Sequence, residues 1–527
     1  MKHIYLLLIL LLITLISGGC SQREYSKPGP PLIYVSFDGN ISNSGVLPVE
    51  FRGDSHVSYT QGVTDSCLNL GSHSLFRKPV IIDKGPRNSF SDYEGISVMV
   101  WVKASEGDPN SYEILSQKER TANNHFTGWH ISKTEQGGWL WEFRNKTRRL
   151  RYSPPGSHQP IDDGKWHQIG FTLDTQHDEV RFYYDGNLKS IFSTEGFQLS
   201  FPETSLFTGV NALSDAPQMD TFNGMIDELG IWSRALSADQ VAGLFKENTN
   251  KRLDPLPEYK DSITVMTWNI WNGGMQQGKH VGVKRVADII RYSGADIIAL
   301  QETKNAGEQI AGELDYYLYR RSTNLSVLSK FPPTKSYNAF RPDHFGAVNL
   351  DLGNDKEILV GPLWLSRYPD LSAYFKKENA RADTIEVREM ETRGREANFL
   401  LSEIRPLLEN SNNVPVIMAG DFNSGSHLDW TERNKERYNG LVVDFPVSRF
   451  MESAGLLDAY RQIYPNEMEN PGHTWSPIYK EGLQTRMDFV YFTGEWLQPV
   501  SASVVDTYPY GFPSDHGAVV VSFKISE

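Results

Sequence analysis

Residues 414–423, VPVIMAGDFN, restrict the possible folds more than any other stretch of the sequence. The apolar run before Gly420 includes β-branched residues and predicts a buried strand that stops at Gly-Asp-Phe-Asn. On an extended segment Asp421 and Asn423 point to one side, while Phe422 turns into the packing. A carboxylate beside a neutral amide can hold a nucleophilic water and a phosphoryl oxygen together. An ordinary strand-to-turn junction is the alternative, because Asp and Asn are common turn residues.

Length and charge narrow the class of protein. A chain of 527 residues is longer than a single core normally supports, so two domains of over 200 residues are expected. The net charge of −13 disfavours electrostatic binding to nucleic acid, which usually relies on a basic surface. Nucleic acid is therefore not the default substrate.

The first 20 residues are typical of a targeting segment. Lys2 precedes an apolar run over residues 4–16 that is short for a membrane span, and small residues follow it up to Cys20. This pattern resembles the lipobox of bacterial lipoproteins, which implies cleavage before Cys20, acylation of that cysteine, and a lipid anchor in the cell envelope on the side away from the cytoplasm. An ordinary secretory signal is the alternative. Cys67 is the other cysteine, so no disulfide forms within the mature chain, and we expect Cys67 to be a small buried residue.

Two polar, proline-bearing segments divide the remaining chain. Residues 21–31 predict a tether, and residues 247–261 predict a linker between domains. Between them, residues 32–246 contain short alternating apolar segments broken by turn residues, a pattern that favours an antiparallel sandwich. Residues 96–102 and 179–184 are the clearest strands, and the Asp-Gly pair at 185–186 predicts a tight hairpin.

Several motifs of this first domain resemble the laminin-G-like, concanavalin A-like jelly roll. They are FDG at 37–39, VMVWVKA at 98–104, GKWHQIGFTLD at 164–174, YYDGNL at 183–188 and NGMIDELGIWSRALSADQV at 223–241. The resemblance implies a sandwich that binds glycans or proteins, sometimes with Ca²⁺.

Asp227 and Glu228 are the candidate calcium ligands of this domain. A structural role at a strand end is the favoured alternative, because a calcium site needs more oxygen ligands than this stretch supplies. Trp101, Trp166 and Trp232 are expected in the core rather than on a sugar-binding surface.

Residues 262–527 alternate strands with helical patterns and predict two packed mixed sheets flanked by helices. Strands are expected at 263–268, 296–300, 488–492 and 518–523, and Phe399, Leu400, Ile404 and Leu408 are expected on one helix face. Five of these elements end in residue types used in catalysis, which suggests that their ends converge. The residues are Asn269, Glu302, Asp421 with Asn423, Asp488, and Asp515 with His516. The carboxylates of Glu302 and Asp515 with the amide of Asn269 suit a hard divalent ion such as Mg²⁺ or Mn²⁺.

The ordered motifs TWN, LQE, GDFN, GHTW, RMDFVY and SDH resemble the endonuclease/exonuclease/phosphatase superfamily over all of residues 262–527. The resemblance implies a multidomain chain, with the all-β jelly roll followed by an α+β four-layer DNase-I-like sandwich. It also implies a role for each matching position. Asn269, Glu302 and Asp515 match metal-site residues, Asp421 the residue that activates water, Asn423 a phosphate contact, His516 the transition-state histidine and Asp488 its carboxylate partner.

One position departs from that pattern. Trp364, in ILVGPLWLSRYP, stands where many members of the superfamily have a histidine. The departure disfavours nuclease-like and sphingomyelinase-like activity. His427 and Trp430 in SGSHLDW, with Trp364 and with His473 of the GHTW motif, are the candidate substrate contacts. For His427, a capping or solvated loop position is an equal alternative.

Together these features predict a surface-anchored, metal-dependent phosphoesterase that hydrolyses its substrate in a single step. Asp421 takes a proton from water, and His516, held by Asp488, stabilises charge in the transition state. The jelly roll would bring the enzyme to a glycan or a surface protein. A secreted nuclease, and a glycan-binding lipoprotein whose second domain is inactive, are the alternatives.

Overall fold

The computed structural model describes residues 25–526 except 54–56, 72–79, 86–88, 123–124, 216–220, 256–257, 371, 376 and 378. It consists of a β-sandwich followed by a four-layer α/β sandwich, which confirms the fold predicted for each part of the chain. The predicted lipidation site, Cys20, and the predicted signal segment lie outside the described residues. Within them, no helix has both the length and the apolar content needed to cross a membrane.

Fifteen strands build the first domain in the part of it that the structure describes. They are β1 Ile33–Val35, β2 Glu50–Arg52, β3 Ser58–Gln61, β4 Ser66–Asn69, β5 Val80–Asp83, β6 Gly95–Ala104, β7 Tyr112–Arg120, β8 Phe126–Lys133, β9 Trp139–Arg144, β10 Arg149–Tyr152, β11 His167–Asp174, β12 Glu179–Tyr184, β13 Asn187–Ser193, β14 Leu206–Thr208 and β15 Gly224–Trp232. One sheet has the strand order β10-β9-β8-β7-β14-β5-β2. It packs against a second sheet with the order β13-β12-β11-β6-β15-β4-β3, in which β1 also pairs with β15.

Local sequence explains the clearest features of this sandwich. β12 ends at Tyr184 and β13 begins at Asn187, so Asp185 and Gly186 form the predicted two-residue turn. Both have left-handed backbone angles, φ 48° and 74°, as this hairpin type requires. Cys67 is buried as predicted.

The tryptophans of the first domain divide into two groups. Trp101 and Trp232 lie in the core, as predicted. Trp166 is half-buried instead, because it precedes β11 rather than lying within a strand.

The predicted calcium ligands hold the sandwich together at a bulge in β15. Asp227 is fully buried and accepts hydrogen bonds from the backbone N–H groups of Val63 (2.8 Å) and Glu228 (3.0 Å). Glu228 accepts from the hydroxyls of Tyr34 and Thr64. These contacts tie the carboxylates to protein donors and favour the structural role.

In the second domain the described residues form twelve strands in two six-stranded sheets. They are β16 Ser262–Asn269, β17 Ile297–Gln301, β18 Tyr317–Arg320, β19 Leu325–Ser329, β20 Pro333–Tyr337, β21 Ala347–Gly353, β22 Lys356–Trp364, β23 Val416–Asp421, β24 Leu457–Asp458, β25 Asp488–Thr493, β26 Leu497–Val505 and β27 Ala518–Ile525. Their orders are β26-β27-β16-β17-β19-β18 and β20-β21-β22-β23-β25-β24. The four predicted strands fall within β16, β17, β25 and β27 to within one residue at their starts.

Helices cover the outer faces of these sheets. The α-helices are α1 Ala238–Asn248, which closes the first domain, and α2 Lys279–Ser293, α3 Gly307–Leu314, α4 Ser372–Phe375, α5 Ala382–Glu389, α6 Arg395–Glu403, α7 Arg405–Glu409, α8 Pro446–Ser453 and α9 Ala459–Ile463. Short 3₁₀-helices span Phe90–Asp92, Asn272–Gln277 and Glu432–Tyr438, and a π-helix spans Met390–Gly394.

The four layers follow from which residues each face buries. Val265 and Ile417 face each other between the two sheets, where aliphatic side chains from both sheets form one core. Val286 of α2 packs on Trp268 at one outer face, and Leu400 of α6 lies with Met418 at the other.

The helix predicted over residues 399–408 differs from the structure. Leu400 and Ile404 are buried, but α6 ends at Glu403 and α7 begins at Arg405. Phe399 is 54% exposed, because it is offset by one residue from Leu400 and therefore lies about 100° around the helix axis.

The two domains share a continuous sheet. β13 of the jelly roll pairs in parallel with β18 of the second domain through Ser190, Ile191 and Phe192. The buried Arg321 of the second domain donates to the Ser193 hydroxyl (2.9 Å) and pairs with Glu195. The two sandwiches are therefore joined by a strand pair and an ion pair in addition to the polar linker.

The predicted tether also contacts the first domain in its described part. The Ser26 hydroxyl and backbone N–H donate to Asp239 of α1, and the indole N–H of Trp232 donates to the carbonyl of Gly29 (3.0 Å). Residues 26–29 therefore pack on the jelly roll.

Candidate active site

The polar strand ends predicted from the sequence meet at one end of the second domain. Asn269 is the last residue of β16, Glu302 directly follows β17, and Asp421 is the last residue of β23. Asp488 begins the antiparallel neighbour β25 and is in register with Asp421. The segment before β27 supplies the remaining residues, because the Ser514 hydroxyl donates to the carbonyl of Asn269 (2.6 Å).

Asp421 and Asn423 are close together for a different reason from the one predicted. The strand ends at Asp421, and Asn423 is left-handed with φ 48°, so a turn rather than strand alternation brings the two side chains together. The Asn423 backbone N–H donates to Asp421 Oδ1 (2.9 Å) and its side-chain amide to Oδ2 (3.2 Å). Phe422 is buried against Phe489 and Tyr491, as predicted.

His516 lies between two carboxylates. Its Nδ1 is 2.9 Å from Oδ2 of Asp488, and its Nε2 is 3.8 Å from Oδ2 of Asp421. Asp488 is fully buried, and its backbone N–H donates to the Thr474 hydroxyl (3.2 Å). The imidazole is thus held from behind by Asp488 and directed toward Asp421.

The charges of this group shift its titration. Burial opposes a charge on His516, but the negative charges of Asp488 and Asp421 outweigh burial and raise the pKa of His516 to about 10. Burial, reinforced by the charge of Asp488, raises the pKa of Asp421 to about 7. At neutral pH the group therefore offers an imidazolium beside a carboxylate that can exchange a proton.

Glu302 and Asp515 form the candidate metal centre. Both line the same pocket and are only partly buried. Burial raises the pKa of Asp515, and the nearby charge of Glu302 adds to it, which a bound cation would relieve. Two carboxylates facing one pocket fit a hard divalent ion.

Asn269 supports this centre from behind. Its amide N–H₂ donates to Glu302 Oε1 (3.2 Å) and Asp421 Oδ2 (3.1 Å), while its oxygen accepts the backbone N–H of Trp271 (3.0 Å). The Asn269 side chain is buried, and its role in the structure is to position both carboxylates through hydrogen bonds.

A second group of potential ligand atoms is Asp421, Asp488 and His516, whose nitrogen and oxygen atoms lie within 4.8 Å of one another. His516 Nδ1 and Asp488 Oδ2 already bond each other, and Asp421 accepts from Asn269 and Asn423, whereas Oδ1 of Asp488 has no hydrogen-bond partner among the described residues. Glu302 and Asp515, which are more exposed to the cavity, remain the candidate ligands of an ion.

The site opens into a cavity of about 340 Å³. Trp364 is the last residue of β22, stands in parallel register with Asp421, and lines this cavity. The sequence did not single out several other lining residues, which come partly from the turns after β16 and β23 and partly from segments farther along the chain. They include Trp271, Asn272, Arg367, Glu389, Arg393, Ser424 and Trp475.

Arg393 fixes the loop that follows Trp364. It lies in the π-helix and forms a bidentate ion pair with Glu389, with both distances 2.9 Å and both side chains almost fully buried. Its Nη1 also donates to the carbonyls of Ser366, Arg367 and Pro369. A π-helix inside an α-helical region is often found at functional sites.

The remaining predicted substrate contacts have different positions. Trp430 lines the cavity but is buried, and it stacks on Tyr438 at 3.9 Å. His427 does not line the cavity, because its Nδ1 bonds the Ser448 hydroxyl (2.7 Å) on α8. His473 also lies off the cavity, and burial lowers its pKa to about 4.

Known proteins resemble both parts of the chain. Residues 266–516 match the Endonuclease/Exonuclease/phosphatase family, and residues 84–242 match the Concanavalin A-like lectin/glucanases superfamily. The uncharacterized protein F14F9.5 of Caenorhabditis elegans is 27% identical over 300 residues, which cover 50% of this chain and 91% of the relative.

Solved structures also match this chain at low identity. Truncated Caenorhabditis elegans TDP2 is 19% identical, with a TM-score of 0.36 over 50% of this chain and 97% of TDP2. The binding domain of Paraclostridial Mosquitocidal Protein 1 is 16% identical, with a TM-score of 0.36 over 46% of this chain. The match spans 58% of that structure, which is less than two thirds of its length. The family matches coincide with the two sandwiches described above. The second sandwich thus carries the match to the Endonuclease/Exonuclease/phosphatase family, and the first sandwich carries the match to the Concanavalin A-like lectin/glucanases superfamily.

Proposed function

We propose that this chain is an exported, membrane-anchored phosphoesterase that uses a divalent metal ion, Mg²⁺ or Mn²⁺, to hydrolyse phosphate esters with activated water. The observation that carries the proposal is the placement of His516 between Asp488 and Asp421, beside a cavity lined by Glu302 and Asp515. The family of the second domain supports hydrolysis of this kind.

The chemistry follows from the charge states of the side chains. Asp421, whose pKa is raised to about 7, accepts at its carboxylate the proton of the water whose oxygen attacks phosphorus. The bond from phosphorus to the ester oxygen breaks as the new bond forms, and the alcohol leaves with a proton taken from solvent. Asn423 and Asn269 keep that carboxylate in place by donating to both of its oxygens. Imidazolium His516 donates from Nε2 to the phosphoryl oxygen as its negative charge grows, and Asp488 stabilises the imidazolium. A divalent ion held by Glu302 and Asp515 would polarise the phosphoryl group and neutralise part of its charge.

The test is hydrolysis of bis(p-nitrophenyl) phosphate with and without Mg²⁺ by the full mature chain. Activity that requires the metal and falls by roughly two decades or more in His516→Ala supports the proposal. Absence of turnover with phosphodiesters, phosphomonoesters and phospholipids alike contradicts it. A strong preference for DNA, with steep salt dependence, would favour the nuclease alternative instead.

For the jelly roll we propose that it binds an acidic glycan. A cleft of about 900 Å³ at one end of the seven-stranded sheet is lined by five cations and one acidic residue, Glu119, on a chain whose net charge is −13. The cations are Arg120, Arg144, Lys146, Arg148 and Arg149. Such a local excess of positive charge favours an anionic ligand.

Binding to immobilised heparin, used as a model acidic glycan, tests this role. Replacing Lys146, Arg148 and Arg149 by Ala should weaken retention strongly. Replacing three exposed cations elsewhere, Lys335, Lys377 and Lys480, gives the same net charge and should weaken it little. Equal losses in the two triple variants would mean that the cleft is not the binding site.

The anchor rests on the sequence pattern at Cys20. A Cys20→Ala variant should leave the membrane fraction of the expressing cell. Membrane retention of that variant after signal cleavage would show that another element anchors the chain.

A further inference from the structure

The cavity beside His516 has an aromatic wall that phosphate chemistry alone does not require. Four tryptophans line it. Trp430 is buried and already stacked on Tyr438, while the other three are half-buried and come from different parts of the chain: Trp271 after β16, Trp364 at the end of β22, and Trp475 in the segment before β25. The reacting atoms lie next to them, since Trp364 is in register with Asp421 and the Trp475 ring is 4.9 Å from the His516 ring.

These tryptophans differ from most others in the chain. Seven of the twelve are buried in cores, and five are half-buried. Of the half-buried five, three line this one cavity. Among the described residues, neither Trp271 nor Trp364 makes a ring contact with another aromatic side chain or a hydrogen bond through its indole N–H. Their exposed faces are therefore available to a ligand, whereas the neighbouring Trp430 is already stacked on Tyr438.

The backbone holds Trp475 in position. The Trp475 backbone N–H and carbonyl both bond to Thr485 at 3.0 Å, and Gly517 donates to the carbonyl of Thr474 at 2.7 Å. Trp364 is held by its place in the β22–β23 strand pair and by its backbone N–H, which donates to the carbonyl of His344 (2.9 Å). Rings fixed in this way lose little freedom when a flat ligand stacks on them.

We propose that the cavity selects small phosphate esters that carry one planar aromatic ring, which stacks on Trp364 and Trp475 while the phosphate lies at His516. The ring can belong to a nucleobase or to an aryl group, because both present the same π-face to an indole. A cavity of about 340 Å³ is within the range of small-molecule sites. The proposal rests on the phosphoesterase function of the same site.

Matched ligands that differ in the ring test it. Thymidine 5′-monophosphate, phenyl phosphate and ribose 5-phosphate are compared as competitive inhibitors of bis(p-nitrophenyl) phosphate hydrolysis. We expect the inhibition constant of at least one ring-bearing ligand to be about fivefold or more below that of ribose 5-phosphate, as base stacking on an aromatic residue gives. Tighter binding of thymidine monophosphate identifies the nucleobase, and tighter binding of phenyl phosphate the aryl group.

Variants test whether the tighter binding of ring-bearing ligands depends on the tryptophans of the cavity. Trp364→Ala should remove most of the ring advantage and leave inhibition by ribose 5-phosphate unchanged, while Trp364→Phe should keep part of it. The control is Trp496→Ala, since Trp496 is half-buried away from the cavity. Equal inhibition by all three ligands, or a ring advantage that survives Trp364→Ala, would overturn the proposal.

Quenching of tryptophan fluorescence by thymidine monophosphate measures ligand binding independently of catalytic turnover. Quenching that is lost in Trp364→Ala supports ring binding even if no phosphodiester is hydrolysed. The lack of hydrolysis would then contradict only the phosphoesterase function. Hydrolysis without ring preference would contradict the ring proposal alone.

Discussion

The Nδ1 atom of His516 and the Oδ2 atom of Asp488 lie 2.9 Å apart in the interior of the second domain, in a buried ion pair. The pair orients the ring so that Nε2 faces Asp421, which lines the cavity with His516, and it keeps the imidazole charged. Two residues that act through one imidazole should not contribute independently to catalysis.

Mutation of the pair should therefore be non-additive. We expect His516→Ala to lower turnover by roughly two decades or more with little change in metal affinity, because it removes a transition-state donor. Asp488→Asn should cost less, since the imidazole stays while its charged partner is lost. The double variant should match His516→Ala. Steady-state kinetics in which the two losses multiply would show that the residues do not act as a unit.

The rate should depend on pH in a bell shape. Asp421 must be ionised to accept a proton, so the rate should rise as pH passes about 7. His516 must be protonated to donate, so the rate should fall as pH passes about 10. In Asp488→Asn the alkaline limb should move to lower pH, because a charge that raises the pKa of His516 is gone. An unchanged alkaline limb in that variant would assign it to another group.

Metal dependence should map to Glu302. Chelation of divalent ions should abolish turnover, and added Mg²⁺ should restore it. Glu302→Gln keeps the size of the side chain and removes its charge, so we expect weaker apparent Mg²⁺ affinity and partial recovery at excess metal. His516→Ala is the matched comparison, since excess metal should not rescue it. Titration of the rate against Mg²⁺ distinguishes the two variants.

The buried pair of Arg393 and Glu389 should support both stability and the cavity. Arg393→Met leaves Glu389 buried without its partner, which we expect to cost about 3–5 kcal/mol in the free energy of unfolding. The combination with Glu389→Gln should recover much of that loss. Arg393→Lys keeps the charge but loses the Nη1 group that donates to three carbonyls, so the Michaelis constant should rise. Urea unfolding measures the first effect and steady-state kinetics the second.

The shared sheet predicts that the two domains remain together when the linker is cut. Introducing a protease site near residue 250 and cleaving it should yield two fragments that still co-elute on size-exclusion chromatography, because the β13–β18 pair and the Arg321 contacts persist. Residues 262–527 expressed alone should melt at a lower temperature than the full chain, since β18 becomes an unpaired edge. Separation of the nicked fragments, with unchanged melting, would contradict a stabilising interface.

The sequence predicted the elements whose signal is local. The strand that ends at Asp421 and the Asp185–Gly186 hairpin follow from apolar runs and turn chemistry alone. The convergence of the polar strand ends also followed, because strands of one sandwich present their ends to a common edge.

Other features depended on tertiary contacts. Arg393 reaches the site only because a π-helix turns it toward the Ser366–Pro369 carbonyls, and the period of the sequence does not show such a turn. Trp475 is positioned by backbone hydrogen bonds to Thr485, and the local sequence pattern does not predict these bonds. The β13–β18 pairing joins segments over 120 residues apart, across a stretch whose composition indicates a linker.

That strand pair has a consequence for how such chains can be recombined. A sandwich that donates an edge strand to its neighbour cannot be exchanged for another of the same class on the basis of the linker alone. A chimera would have to carry a complementary edge at the position of β13, with a partner for Arg321, or leave the catalytic domain with an open sheet. In this chain the unit to transfer in a chimera is thus the pair of sandwiches.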